Sequence, residues 1–230
     1  MTVEDEFSDL TEFPAGVPQG SVIGPILYII YCSDLPYLND CKYAMYADDL
    51  AIFSSHEFSH VIQTNLQCAL FKIDDYFKKW KIKINASKTQ TIFFTRKRSS
   101  RFLPVRNLSY EGNEILWSSS IKYLGVELDK KLTFANHIRS IKSKVNLAIK
   151  ILYPLINRKS KLNIANKIII LKVVFQPLIL YACPAWGTCA KTHIKSLQIL
   201  QNKLLRMILN VPWHFSTLQL HSKTEVPFID

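Results

Sequence analysis

The spacing of apolar residues changes near residues 129–134, and that change constrains the fold more than any other feature of the sequence. Upstream, Val61 to Trp80 places Ile62, Leu66, Ala69, Leu70, Ile73 and Phe77 at helical intervals, which predicts a helix with one buried face. The segments Ile82 to Phe94, Val105 to Leu116 and Ile121 to Leu128 are short and rich in β-branched and aromatic residues. Turns containing Ser, Gly and Asn separate them, so they read as strands. From Phe134 on, the period is helical. Ile138, Ile141, Val145, Ile149, Leu152 and Ile156 share one face of a first helix, and a second runs from about Leu162 to Tyr181 with a bend at Pro177. A third begins near Thr192, turns Ile194, Leu197, Leu200, Leu204, Leu205 and Ile208 inward, and stops before Pro212. The expectation is an α+β chain, mixed over residues 1–130 and all-helical over residues 131–230.

Charge divides in the same way. The first 95 residues carry 7 basic and 12 acidic side chains, and the remainder 22 and 6. Between Asp129 and Glu225 there are 16 Lys and Arg and not one Asp or Glu. Soluble surfaces ordinarily mix both signs, so this stretch fits a polyanionic partner held through its phosphates. Charge alone does not separate nucleic acid from an anionic membrane. With 48% hydrophobic residues, 6 Gly and 10 Pro, the composition excludes disorder as the main state and any collagen-like or linker-rich chain. Five cysteines without a C-x-x-C pair give neither a disulfide framework nor a four-thiolate zinc site, which fits a reducing compartment. The acidic start MTVEDEF is not a signal peptide. Ile168 to Trp186 is interrupted by Lys172, Gln176, Pro177 and Pro184, so it is expected as a buried helix and no membrane partner is expected.

Chemistry concentrates in Tyr43-Ala44-Met45-Tyr46-Ala47-Asp48-Asp49-Leu50-Ala51-Ile52-Phe53, two apolar arms meeting at adjacent carboxylates, as a β-hairpin would present acids at its tip. Such a pair is either solvated or a divalent-cation ligand set. Asp74-Asp75, the same dipeptide within an amphipathic helix beside Lys72, Lys78 and Lys79, is expected to be a solvated helix face. Upstream, the loop Ala15-Gly16-Val17-Pro18-Gln19-Gly20-Ser21-Val22-Ile23-Gly24-Pro25 leads into an apolar helix ending near Cys32 and lacks phosphate-loop or dinucleotide spacing. Cys183, Cys189 and His193 lack a fourth ligand for zinc. Trp80, Trp117, Trp186 and Trp213 sit beside apolar residues and are expected in the core rather than as base-stacking platforms.

Taken in order, GVPQGSVIGP, YADD, the W-x-I-x-x-N-x-x-K-T set (Trp80, Ile82, Asn85, Lys88, Thr89) and Tyr123-Leu124-Gly125-Val126 resemble the reverse transcriptases of non-LTR (LINE-type, jockey-like) retrotransposons. The tail from Pro177 to Trp186 resembles the region that follows in that family. The resemblance implies a partial right-hand polymerase palm over residues 1–130, then a basic helical thumb or connection over residues 131–230. It implies RNA-directed DNA synthesis by two-metal nucleotidyl transfer, with Asp48 and Asp49 as catalytic metal ligands for Mg²⁺ or Mn²⁺. Gln19, Gly20 and Ser21 match the loop near template base and incoming nucleotide, and Lys88 the lysine turn beside the triphosphate. Tyr123, Leu124 and Gly125 match the primer grip, and Arg139, Lys142, Lys144 and Lys150 fall to the nucleic-acid backbone. His137 matches a family histidine expected to pack or cap. The implied partners are an RNA template, a DNA primer and dNTPs, and the implied location is intracellular with access to the nucleus.

The family carries another catalytic Asp several tens of residues before the GVPQGS loop, whereas 15 residues precede Gly16 here. The chain is therefore expected to be the C-terminal part of a polymerase, binding metal weakly and partnered by the N-terminal part. A catalytically inactive remnant that binds RNA or an RNA/DNA hybrid is the alternative.

Overall fold

A computed structural model describes residues 2–3, 6–7, 16–18, 20–96 and 106–229. Gln19, Ala15 and the start of the strand expected from Val105 lie outside the described residues. The strands are β1 (Thr2–Val3), β2 (Glu6–Phe7), β3 (Lys42–Tyr46), β4 (Asp49–Phe53), β5 (Thr91–Ile92), β6 (Leu108–Tyr110), β7 (Asn113–Ile115), β8 (Trp117–Ser118), β9 (Ser120–Tyr123) and β10 (Val126–Asp129). The helices are α1 (Gly24–Tyr31), α2 (Ser59–Lys79), α3 (Ala135–Ile156), α4 (Ile164–Ile170), α5 (Gln176–Leu180), α6 (Cys183–Trp186), α7 (Lys191–Leu209) and α8 (Thr217–Thr224). The mixed helix-and-strand class is as expected. The chain forms two compact units, Met1–Thr89 with Pro104–Ile115, and Gln90–Leu103 with Leu116–Asp230.

In the first unit, α2 buries Ile62, Ala69, Leu70 and Ile73, the residues whose helical spacing predicted it. Leu38, Cys41, Ala69 and Ile73 form a small core, against which Leu50 and Ile52 of β4 pack. Cross-strand register pairs Met45 with Leu50 and Tyr43 with Ile52, so that face of the β3–β4 hairpin turns to α2. Asp74 departs from expectation. It is buried, pairs with Lys78 at 2.6 Å and accepts a hydrogen bond from Tyr110 Oη at 2.8 Å, because position 74 falls beside Leu70 and Ile73 on the inward face. The Lys78 ammonium lowers the Asp74 carboxyl below the usual range, and burial opposes it.

Two expected strands are interrupted by turns. Asn85 accepts hydrogen bonds through its backbone carbonyl from Lys88 and Thr89, which folds residues 81–90 and leaves only Thr91–Ile92 extended. Glu111 (φ 47°) and Gly112 (φ 76°) turn the segment ending at Leu116 into the β6–β7 hairpin.

In the second unit, α3 buries Ile138, Ile141, Val145, Ile149 and Ile156, and α7 buries Leu197, Leu200, Leu204, Leu205 and Ile208. These join Leu171, Phe175, Ile179, Trp186 and Leu220 in one core. Asp129 fixes the start of α3, accepting from the amides of Lys131 (3.0 Å), Thr133 (3.1 Å) and Phe134 (2.8 Å). The helix expected from Leu162 to Tyr181 is broken differently from its sequence reading. Leu171–Phe175 is a π-helical turn in which Gln176 N–H reaches Leu171 O, directly before Pro177, whose missing N–H prevents a regular continuation. Among the described residues no helix is long and apolar enough to cross a membrane.

Candidate functional site

β3 and β4 are joined by a two-residue turn, Ala47-Asp48, with Tyr46 opposite Asp49. Ala47 takes φ 51°, the positive dihedral that primed hairpin turns place at their first central position, so a residue with a Cβ carries local strain there. The consequence is that Asp48 and Asp49 stand side by side at the exposed end of the hairpin. Neither Asp48 nor Asp49 makes an ion pair among the described residues, in contrast to Asp74 with Lys78, so the tip carboxylates hold a local negative charge. Hard, adjacent, solvent-facing carboxylate oxygens are the donor type that Mg²⁺ and Mn²⁺ prefer, and in this respect the hairpin fits such an ion. Among the described residues no group of three or more His, Cys, Asp or Glu side chains is placed to hold a metal, so Asp48 and Asp49 stand at the tip as a pair.

The charge of the hairpin tip is felt at Tyr28 of α1. Burial, a hydrogen bond with Cys32 and the charge of Asp48 push the Tyr28 phenol up to about 12, which places the tyrosine within reach of the Asp48 field. Gly20 has φ 86°, a conformation that side chains with a Cβ avoid, and Ser21 N–H closes the turn onto Pro18 O at 3.0 Å. α1 itself buries no residue. It is tethered at its end by the Tyr31 hydroxyl, which donates to the Trp80 carbonyl, and by the Tyr31–Trp80 ring contact at 5.0 Å. Trp80 and Asn85 thus act structurally. Asn85 Oδ1 accepts from Ser87 Oγ at 2.7 Å and Lys88 N–H at 3.2 Å, an Asx-type turn that leaves the Lys88 ammonium exposed.

In the second unit, Tyr123, Leu124 and Gly125 form a hairpin tip rather than the middle of one strand. Leu124 (φ 44°) and Gly125 (φ 80°) both have positive φ, as a type I′ turn requires, and Tyr123 pairs with Val126. Tyr181, which sequence reading left without a role, clasps this tip. Its hydroxyl donates to Leu124 O at 2.8 Å, and its ring edge lies 3.0 Å from where a Cβ on Gly125 would stand. The Tyr181 carbonyl in turn accepts from Trp186 Nε1 at 2.7 Å. His137 packs, as expected. Its Nδ1 accepts from Glu127 N–H at 3.3 Å, its ring lies 6.3 Å from that of Trp186, and burial pushes its pKa down.

The four α3 cations do not form one stripe. At about 100° per residue, Arg139, Lys142 and Lys150 lie on one flank of the buried face, and Lys144 is turned about 140° from Arg139. Arg139 is steadied by Asn136 Oδ1 at 3.0 Å, and Lys142 is half-buried. Of the 16 basic residues in the acid-free stretch, Lys167 is internal, donating to Asn157 O at 2.7 Å. Trp186 is buried as expected, but Trp213 is 85% exposed, contrary to the core placement read from its apolar neighbours.

A family model described as reverse transcriptase (RNA-dependent DNA polymerase) matches residues 6–128. The chain is 34% identical over 212 residues to a "probable RNA-directed DNA polymerase from transposon X-element" of Drosophila melanogaster, covering 90% of this chain and 23% of the relative. It is also 34% identical over 237 residues to the "RNA-directed DNA polymerase from mobile element jockey" of Drosophila funebris, covering 100% of this chain and 25% of the relative. A third relative, from transposon BS of Drosophila melanogaster, is 34% identical over 230 residues, 96% of this chain and 25% of that protein. The chain therefore spans about a quarter of the length of these relatives. No solved structure matches it significantly.

Proposed function

Because the chain belongs to the reverse transcriptase family, among the non-LTR retrotransposon members, we propose that it forms part of an RNA-directed DNA polymerase and supplies that enzyme's catalytic hairpin. The observation that carries this is the pair of exposed, uncompensated carboxylates Asp48 and Asp49 at the tip of a hairpin whose other face is anchored on α2. In this reading residues 1–130 serve as a palm and residues 131–230 as a thumb or connection. An inactive, merely binding remnant is not favoured, since the carboxylates, the lysine turn and the hairpin tip are all retained.

Each element then has a task. Asp48 and Asp49 would hold the divalent ions, and the chemistry that Mg²⁺ or Mn²⁺ would supply there is activation of the primer 3′-hydroxyl and neutralisation of the leaving pyrophosphate. Lys88, presented by the Asn85 turn, contributes positive charge to the incoming triphosphate, a role that needs a point charge rather than a fork. Gly20 leaves the backbone open for close approach of template base and nucleotide, with Gln19 and Ser21 beside it. The Tyr123-Leu124-Gly125 tip bears on the primer end, and Arg139, Lys142, Lys144 and Lys150 meet phosphates of the template–primer. Two carboxylates leave the ligand set short, so polymerisation in this proposal uses a further acid from polymerase sequence outside these 230 residues.

Mn²⁺ titration tests the metal assignment. Paramagnetic broadening of backbone amide signals is expected to centre on Asp48 and Asp49, with affinity in roughly the millimolar range or weaker because few ligands are present. Asp48→Ala should remove it while Asp74→Ala leaves it intact. Equal loss in both variants would mean nonspecific association.

A further inference from the structure

The end of the helical unit where α3 and α7 both stop carries a cleft of about 350 Å³. It is lined by Tyr153, Asn157 and Arg158 at the end of α3, by Arg206 in the last turn of α7, and by Asn210 and Trp213 after that helix. We propose that this cleft binds an unpaired nucleotide of single-stranded RNA or DNA, with the base on Trp213 and the backbone phosphates on Arg158.

Trp213 supplies the first reason. An indole left 85% in solvent gains little for folding, yet it offers a large π-face on which any base can stack. Its presentation is built rather than accidental. Asn210 ends α7 with φ 54°, Phe215 N–H closes a turn onto Pro212 O at 3.1 Å, and Arg206 Nη2 donates to Phe215 O at 3.1 Å, fixing the loop that holds the indole outward. Tyr153, 52% exposed, adds a second aromatic to the lining.

The polar lining fits a base and a phosphate. Asn157 Oδ1 is occupied by Lys159 N–H at 2.7 Å, which leaves its amide NH₂ to donate to a base edge. Arg158 is exposed, and Lys159 and Lys161 beside it are also exposed. No acid lies between Asp129 and Glu225, so nothing in that stretch opposes a phosphate. A volume of this size has room for one base. An exposed tryptophan amid cations also suits an anionic membrane, but the amide groups that can read a base edge favour nucleic acid. The inference stands apart from catalysis, since a chain that fails to extend a primer could still bind here.

Anisotropy of labelled dT₁₀ and rU₁₀, with a ten-base-pair duplex as control, tests it on the full chain. Trp213→Leu should weaken both single strands about 5- to 150-fold, the span of base–aromatic stacking, and leave duplex affinity unchanged. Trp213→Phe should restore part of the loss, and Arg158→Gln should weaken single-strand binding and flatten its salt dependence. A larger effect on rU₁₀ than on dT₁₀ would assign the site to RNA, the reverse to DNA. Because Trp213 is exposed, thermal unfolding of Trp213→Leu should match the parent, so lost binding reads out the site. Unchanged single-strand affinity in Trp213→Leu would overturn the proposal. So would tryptophan fluorescence that responds to phosphatidylserine vesicles and not to the oligonucleotides.

Discussion

The contact between Tyr181 and the Leu124–Gly125 tip gives a double-mutant cycle whose size can be worked out in advance. Gly125→Ala places a methyl group 3.0 Å from Tyr181 Cε1 and 3.3 Å from Oη, at φ 80°. The left-handed backbone alone costs about 1–2 kcal/mol for a residue with a Cβ. Tyr181 is exposed enough to swing aside, and doing so breaks its 2.8 Å bond to Leu124 O, a loss of about 0.5–1.5 kcal/mol. Gly125→Ala should therefore destabilise the helical unit by about 1.5–3.5 kcal/mol, and Tyr181→Phe, which removes only the hydroxyl, by about 0.5–1.5 kcal/mol. In the double variant the hydrogen bond is lost once, so the two changes should fall short of additivity by about 0.5–1.5 kcal/mol. Urea unfolding followed by circular dichroism, with the transition of the helical unit fitted as its own step, measures all four corners. Additivity within about 0.3–0.5 kcal/mol would refute the clasp.

Nucleic-acid binding by the basic helices should weaken steeply with salt, with a log–log slope of several units, in a filter-binding titration. Lys142→Glu with Lys144→Glu should lower affinity for all sequences alike, and salt-insensitive binding would contradict phosphate contact. His137 should make stability pH-dependent. Its buried imidazole has a depressed pKa, so the unfolded chain takes up the proton first as pH falls below about 6.5. Stability should then decline from there down to the folded-state pKa and level off below it, and His137→Gln should remove that slope. A slope that persists in the variant would place its origin elsewhere.

The helices were legible in the sequence because their burial is periodic. Ile62 to Ile73 in α2, Ile138 to Ile156 in α3 and Leu197 to Ile208 in α7 each repeat an apolar face over several turns, a signal that local noise does not erase. The β3–β4 hairpin was legible because its turn separates two clean arms. The Leu124–Gly125 tip was hidden to periodicity, since Leu124 is no turn former, yet it takes positive φ beside Gly125 with its carbonyl held by Tyr181. It came instead from the family motif. Tyr181 could not be found by pattern at all, as its partner is 57 residues away. Trp213 was misplaced because apolar neighbours in sequence, Val211 and Phe215, say nothing of direction when Asn210 and Pro212 reverse the chain between helices. Asp74 was misread for the opposite reason. Its charge suggested solvent, while its helical position beside Ile73 put it inside, with Lys78 and Tyr110 as partners.

Primer extension tests the central proposal most directly. The chain would be joined to the N-terminal polymerase segment of a jockey-type relative and supplied with a DNA-primed RNA template, dNTPs and Mg²⁺, beside the 230-residue chain alone. Extension is expected from the joined protein and not from the chain by itself. Asp48→Asn with Asp49→Asn should abolish it, as loss of metal-holding charge at the reacting phosphate commonly costs on the order of 10²–10³ or more in rate. Extension that survives the loss of both carboxylates would contradict the assignment of this hairpin as the catalytic site.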